Sequence, residues 1–329
     1  MRIDALWHPE RFQGGWKRRR YFEGWYFKLI DRDRDAAMAL IPGISLGETP
    51  EDRHAFIQLI DDRTGTVGYF RFPFESFHAD PARFHVEIGP NRFDAHGLSV
   101  NLDDGKLAVK GTLRFDGVVP FPRSFWSPGV MGPFSFVPGM ECYHGIVNIR
   151  HRIHGEISVG DTVHRFDGGE GYIEKDWGRS FPESWVWLQA NHFPDSDASF
   201  LFSIADIPWL RGAFTGFLCF LLFRGRLYRF ATYDRSRIVR IERDDTVVRA
   251  ELRGHGFVLS FSADRGAAGV LRAPKNGTME REIEESLSAE VAVKLTDRKG
   301  RVVFEDASRR GGMEISGDVD RILDRVRRS

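Results

Sequence analysis

The sequence predicts an all-β chain, and three observations carry the prediction. Apolar residues alternate with period two in segment after segment, turn signals rich in Gly and Asp separate those segments, and helical periodicity is nearly absent. About 18 such segments can be marked out, too many for one small barrel, so a sandwich or more than one barrel is expected. The 28 Phe, 8 Trp and 7 Tyr fit this class, because aromatic rings favour pleated surfaces and large apolar pockets.

In chain order, Tyr21-Phe-Glu-Gly-Trp-Tyr-Phe-Lys28 comes first. As a strand it presents Phe22, Gly24, Tyr26 and Lys28 on one face and Tyr21, Glu23, Trp25 and Phe27 on the other. Glu23 then sits among aromatics, where desolvation raises a carboxyl pKa and keeps a proton available near neutrality. An ion pair with one of Arg18, Arg19 or Arg20, or with an arginine elsewhere, is the competing reading. Phe56–Ile60 and Val67–Phe72, joined through Asp61-Asp62-Arg-Thr-Gly65, read as a hairpin. So do Leu98–Leu102 and Leu107–Val109, joined through Asp103-Asp104-Gly105. Residues 117–138 hold five prolines interleaved with Phe121, Phe125, Trp126, Phe134 and Phe136. That composition predicts a packed loop or a buried lid, not a flexible linker.

Two further segments carry candidate chemistry. In Cys142-Tyr-His-Gly-Ile-Val-Asn-Ile-Arg-His151-Arg-Ile-His154, alternation places His144 and His154 on one face and His151 on the other. This is not metal-ligand spacing, so no metal is expected. His144 beside Tyr143 is the best candidate for a proton relay. In Gly168–Gly178, alternation puts Glu170, Tyr172, Glu174 and Asp176 on one face, with Ile173, Lys175 and Trp177 opposite. Carboxylates on one pleat repel unless they are paired, protonated or exposed. Either this face is solvated and matched by arginines, or one carboxyl is a proton donor. Asp176 is the first choice, being short and followed by Trp177-Gly178. Beyond Phe181-Pro182, a plausible domain junction, Trp185, Trp187, Gln189 and Asn191 share a face. They resemble a pocket wall with polar anchors, or equally a core stripe whose amides bind backbone. Trp25, Trp177, Trp185 and Trp187 are expected to be buried and to gather near one cavity.

The remainder completes the β reading. Residues 238–261 form a meander, and Leu287–Leu295 with Val302–Phe304 form a hairpin through Asp297-Arg-Lys-Gly300. Only Asp318–Arg328, with Val319, Ile322, Leu323 and Val326 at helical spacing behind a capping Asp, reads as a helix.

Composition excludes several function classes. Lys+Arg and Asp+Glu are both 47, so net charge is zero and no nucleic-acid partner is expected. Cys142 and Cys219 make neither a disulfide framework nor a zinc site and are expected to be inert thiols. No phosphate loop, nucleotide fingerprint or Ser/His/Asp elbow appears. The N-terminus has no apolar signal region, and the longest uncharged apolar run, Gly212–Phe223, falls short of the about 20 residues a membrane helix needs. A cytoplasmic location is expected, with a peripheral membrane habit left open.

FEGWYFK at 22–28, Cys142-Tyr-His-Gly-Ile, GYIEKDWGRSFPESWVWLQAN at 171–191 and APKNGTMEREIEESL at 273–287 together resemble the tocopherol cyclase family, itself distantly related to carotenoid hydratase-like calycin proteins. The likeness spans most of the chain in the expected order, and the 171–191 string is the most specific part. It implies two tandem lipocalin-like antiparallel β-barrels, taken here as residues 1–182 and 183–329. It also implies closure of a chromanol ring on a prenylated hydroquinone by protonation of an alkene, with no cofactor and no obligatory metal. Such chemistry needs a proton donor in a dry pocket and aromatic faces for a cation. Asp176, Glu23 and Glu174 are the acid candidates, with Tyr143 and His144 beside them. Trp25, Tyr26, Trp177, Trp185, Trp187, Gln189 and Asn191 would bind an apolar small-molecule substrate, which a membrane surface could present. Hydration of an isoprenoid alkene on the same scaffold, or non-catalytic carriage of an apolar ligand, are the alternatives.

Overall fold

Short-range turn chemistry builds the hairpins of the computed structural model, which describes residues 6–33, 35–194, 197–209 and 212–328. Asp104 Oδ1 accepts the amides of Lys106 and Leu107, and Gly105 takes a left-handed φ of 81°. Asp297 Oδ1 does the same for Lys299 and Arg301, with Gly300 at φ 77°. These are the side-chain-to-backbone bonds that make Asp and Gly turn residues.

The first sheet contains β1 (Tyr21–Ile30), β2 (Ala37–Leu46), β3 (His54–Asp61), β4 (Thr66–Pro73), β5 (Phe77–Ala79), β6 (His85–Ile88), β7 (Asn91–Asp94), β8 (Gly97–Asp103), β9 (Ala108–Pro120), β10 (Cys142–Val159), β11 (Thr162–Arg165) and β12 (Gly169–Gly178). Eleven of these run antiparallel in the order β4-β3-β2-β1-β12-β10-β9-β8-β7-β6-β5, and β11 pairs with β10 alone. The two edge strands, β4 and β5, are consecutive in the chain and separated only by the turn Phe74–Ser76. The sheet therefore curls into a nearly closed barrel. Its interior is filled by Trp25, Phe27, Phe84, Phe93 and Phe115 with the aliphatic side chains around them.

The second sheet contains β13 (Trp185–Ala190), β14 (Ser199–Trp209), β15 (Gly212–Phe223), β16 (Arg226–Ala231), β17 (Arg237–Asp244), β18 (Val247–Gly254), β19 (Phe257–Asp264), β20 (Gly269–Lys275), β21 (Thr278–Asp297) and β22 (Val302–Ser316). Its order is β16-β15-β14-β13-β22-β21-β19-β18-β17, with β20 on β21. This sheet is not closed: among the described residues no pairing joins β16 to β17. The all-β class holds, but the expectation of two closed barrels is met by only one. The single α-helix among the described residues, α1 (Val319–Arg328), buries Val319, Ile322 and Leu323 against the second core. Asp318 caps it, accepting the Arg321 amide.

By contacts the chain forms two compact units, Met1–Phe181 with Leu271–Glu282, and Pro182–Val270 with Ile283–Ser329. No helix among the described residues is long and apolar enough to cross a membrane.

Candidate active site

β12 lies between β1 and β10, and this register sorts its side chains. Asp176 stands opposite Gly24 on one side and His144 on the other; Glu174 stands opposite Tyr26 and Ile146. These residues occupy the outer face of the first sheet. Lys175 stands opposite Trp25 and Gly145, and Trp177 opposite Glu23 and Tyr143, on the inner face.

The outer face gathers a connected polar cluster. His144 Nδ1 lies 2.9 Å from Asp176 Oδ1, and His144 Nε2 lies 3.7 Å from Glu174 Oε2. The Tyr172 hydroxyl donates to Glu174 Oε2 at 2.5 Å. Burial, then the Glu174 charge, pushes the Tyr172 hydroxyl well above its ordinary pKa, so it stays a donor. Cys142 Sγ is 3.9 Å from Asp176 Oδ1, and burial followed by the Asp176 charge raises its thiol pKa, so it is not a ready nucleophile. Glu174 is buried, whereas His144 and Asp176 keep some exposure. His144 also borders a recess of about 20 Å³, shared with Pro9, Met131, Ser135, Tyr143 and Trp177. That is room for about one water. A histidine and two carboxylates also offer ligand atoms within 4.8 Å of one another, the one such grouping among the described residues.

The inner face does something different with its charges. Lys175 Nζ lies 2.5 Å from Glu23 Oε1, and both side chains are fully buried. Glu23 also accepts from the Tyr21 hydroxyl at 2.5 Å and from the Gln13 amide at 2.8 and 3.1 Å. Lys175 donates onward to the Arg11 carbonyl and lies 4.8 Å from the Trp25 ring and 4.7 Å from the Trp177 ring. The Trp25 indole donates to the Glu10 carbonyl at 2.9 Å. Glu23, Lys175 and Trp25 thus anchor residues 10–13 of the N-terminal segment. The partner of Glu23 is Lys175, not an arginine of the 18–20 run.

The sequence-derived candidates are placed as follows. Asp176, Glu174 and His144 come together, and Tyr26 shares their face. Tyr143 does not join them: its ring stacks on Trp177 with centroids 5.5 Å apart, and its hydroxyl donates to the Val137 carbonyl at 2.8 Å. Trp25, Trp177 and Glu23 are on the barrel side, and Arg179 pairs with Glu141 at 3.3 Å instead of quenching Asp176. Trp185, Trp187, Gln189 and Asn191 belong to the second unit and are buried. On β13 the alternate residues Val186, Leu188 and Ala190 enter the second core, so Trp185, Trp187 and Gln189 take the other face. There the Trp185 indole donates to Glu314 Oε2 at 2.6 Å. Trp25 and Trp177 thus lie in the first unit, and Trp185 and Trp187 in the second. Tyr172 was missed as a participant, although its shared parity with Glu174 was a usable signal. Lys28, fully buried and opposite Tyr172 in register, was also missed.

The sequence model of tocopherol cyclase-like proteins matches residues 125–317, more than half of the chain. The chain belongs to the tocopherol cyclase-like family. Among solved structures this family member is similar to CghA, with 15% identity, a TM-score of 0.57, and 91% of this chain and 89% of CghA covered. A structure of CghA with Sch210972 matches at 14% identity and a TM-score of 0.56, covering 90% of this chain and 88% of that one. An AttH-like protein from Nitrosomonas europaea matches at 14% identity and a TM-score of 0.50, over 91% of this chain and 93% of that one. At these identities the likeness is one of fold.

Proposed function

We propose that this tocopherol cyclase-like chain closes a chromanol ring on a prenylated hydroquinone, or a related isoprenoid, by proton-initiated cyclisation. The observation that carries the reading is the 2.9 Å contact of His144 Nδ1 with Asp176 Oδ1 beside Glu174, in a chain of this family. In the proposed reaction the Asp176 carboxyl protonates the substrate alkene, leaving a tertiary carbocation. The phenol oxygen attacks that carbon, and the phenol proton passes back to the His144–Asp176–Glu174 group. Atoms balance without any other reactant, so the reaction is an isomerisation. His144 Nδ1, at 2.9 Å, is placed to return a proton to Asp176 between turnovers, and Tyr172 fixes Glu174. Tyr26, on the same face, offers a ring to the cation. Asp176 is preferred to Glu23 because Glu23 already accepts from three donors, which suits an anchor and not an acid. We propose a cytoplasmic location, with a peripheral membrane habit as the route by which an apolar substrate could be met.

The test is incubation of purified protein with a prenylated hydroquinone. A product of unchanged mass with a closed ring is expected. Addition of the mass of water would indicate hydration, and unaltered substrate a carrier. Asp176→Asn should keep the fold and the melting temperature while turnover falls about 10²–10⁴-fold, the usual range for loss of a general acid. If Asp176→Asn retains turnover, the assignment fails.

A further inference from the structure

A second hollow lies away from the cluster just described, at one end of the first barrel. Its volume is about 320 Å³, at the lower end of small-molecule sites, and its lining comes from β2, the Phe74–Ala79 stretch and the N-terminal segment. Its apolar contacts come from Phe12, Phe74 and Phe77, with the buried Ile44 and Leu46 behind them. Ile44 and Leu46 belong to the barrel core, and Phe12 packs edge-on against Phe77 with ring centroids 5.1 Å apart. Lys17 and Arg18 make the rim cationic, His78 lies beside them, and no carboxylate lines the hollow.

Those cations are not spent within the protein. Arg18 donates only to the carbonyls of Gly15 and Lys17, at 3.4 and 3.0 Å. Lys17 Nζ lies 3.9 Å from the Trp16 ring and 5.5 Å from the Tyr21 ring. Neither has a carboxylate partner among the described residues. Partial burial lowers the Lys17 ammonium from its ordinary pKa, as expected for a desolvated cation with no counter-anion. Trp16, beside it, is more than half exposed. The N-terminal segment that forms this rim is held in place: residues 10–13 are tied to Glu23, Lys175 and Trp25, and Gly14 passes so close to the Tyr21 ring that a Cβ would fall 2.4 Å from it.

We propose that this hollow binds a small amphipathic monocarboxylate, its apolar body against Phe12, Phe74 and Phe77 and its carboxylate at the Lys17 and Arg18 rim. Three phenylalanine rings beside two cations that have no carboxylate partner are complementary to that class, and a neutral or cationic amphiphile would leave the two cations unmatched. This inference does not rest on the cyclase reading, since none of its residues belongs to the His144–Asp176 cluster.

Dodecanoate is the probe, titrated calorimetrically below its micelle concentration, with dodecanol as the uncharged control. Saturable binding at one site per chain is expected for dodecanoate. The Lys17→Gln/Arg18→Gln pair should weaken it about tenfold or more, as expected for lost charge-assisted contacts, without altering dodecanol binding. Gly15 offers an independent handle. A Cβ there meets nothing within 4 Å and φ is not left-handed, so Gly15→Phe can fill the hollow without disturbing backbone and should abolish binding. The proposal is overturned if dodecanoate shows no saturable binding, or if its binding is indifferent to the charge pair and to Gly15→Phe. Equal loss of dodecanol and dodecanoate in the Lys17→Gln/Arg18→Gln protein would refute the carboxylate class.

Discussion

Lys175 and His151 show two ways of keeping an ionisable side chain with almost no exposed surface. Lys175 pairs with Glu23; burial lowers its pKa and the Glu23 charge opposes that. Removing one member leaves the other as an uncompensated buried charge, which costs about 3–5 kcal/mol. Lys175→Met and Glu23→Gln should each lower the urea midpoint accordingly. The double variant should lose less than the sum of the two, because the orphaned charge is gone. His151 instead stays neutral. Its ring packs on Phe115 with centroids 4.1 Å apart, the Asn148 side chain donates to Nδ1 at 2.9 Å, and burial pulls its pKa down to about 3. The unfolded chain takes up a proton at about 6.5 and the folded one does not, so stability is complete above about 6.5 and falls as pH drops towards 3. The slope should approach about 1.4 kcal/mol per pH unit in that window. In His151→Phe, compared by urea titration at each pH, that component should vanish. Alternation along 168–178 correctly separated Lys175 from Asp176. It could not name Glu23 as the partner, because parity assigns a face within one strand and says nothing about which distant strand lies alongside.

At the level of elements, the same limit explains which parts were legible. The hairpins closed by Asp-Gly turns and the helix capped by Asp318 are written in neighbouring residues, and both are present. The span of β21 is not so written. Its first half, Thr278–Glu285, has only Met279 and Ile283 as apolar residues among charges, so the alternating pattern became visible only from Leu287. Closure of the second sheet was equally illegible, since it depends on whether two edge strands meet. The docking of α1 gives an element-scale prediction. Asp206 on β14, almost wholly buried, accepts from Arg321 at 2.9 Å and from Arg325. Asp206→Ala should cost about 1–3 kcal/mol, the range for losing a hydrogen-bonded buried group. Amide hydrogen exchange in 319–328 should accelerate, while β18 and β19 keep their protection.

For the whole molecule, the first unit is discontinuous in sequence: residues 271–282 belong to it. The Ser45 hydroxyl donates to the Gly277 carbonyl at 2.7 Å, and Gln58 exchanges two hydrogen bonds with the backbone of Arg272, both at 2.9 Å. Ser45 and Gln58 are buried. A fragment ending at residue 181 therefore leaves both side chains without those partners. Expressed alone, it should unfold at a clearly lower urea concentration than the first unit in the full chain, and adding a peptide of residues 269–284 should restore part of the difference. Equal midpoints for fragment and full chain would show that these bonds contribute nothing.

The same discontinuity sets a timetable at the ribosome. Residues 1–181 emerge first, yet the piece that completes their unit starts about 90 residues later. At about 5–20 residues per second, that is a delay of roughly 5–20 seconds. The second unit is in turn interrupted by that same piece and finished only by residues 283–329. Neither unit has all its contacts while the chain is half made. The nascent barrel must wait with Ser45 and Gln58 unsatisfied, which makes this interval the period in which newly synthesised protein is most open to chaperone capture or aggregation.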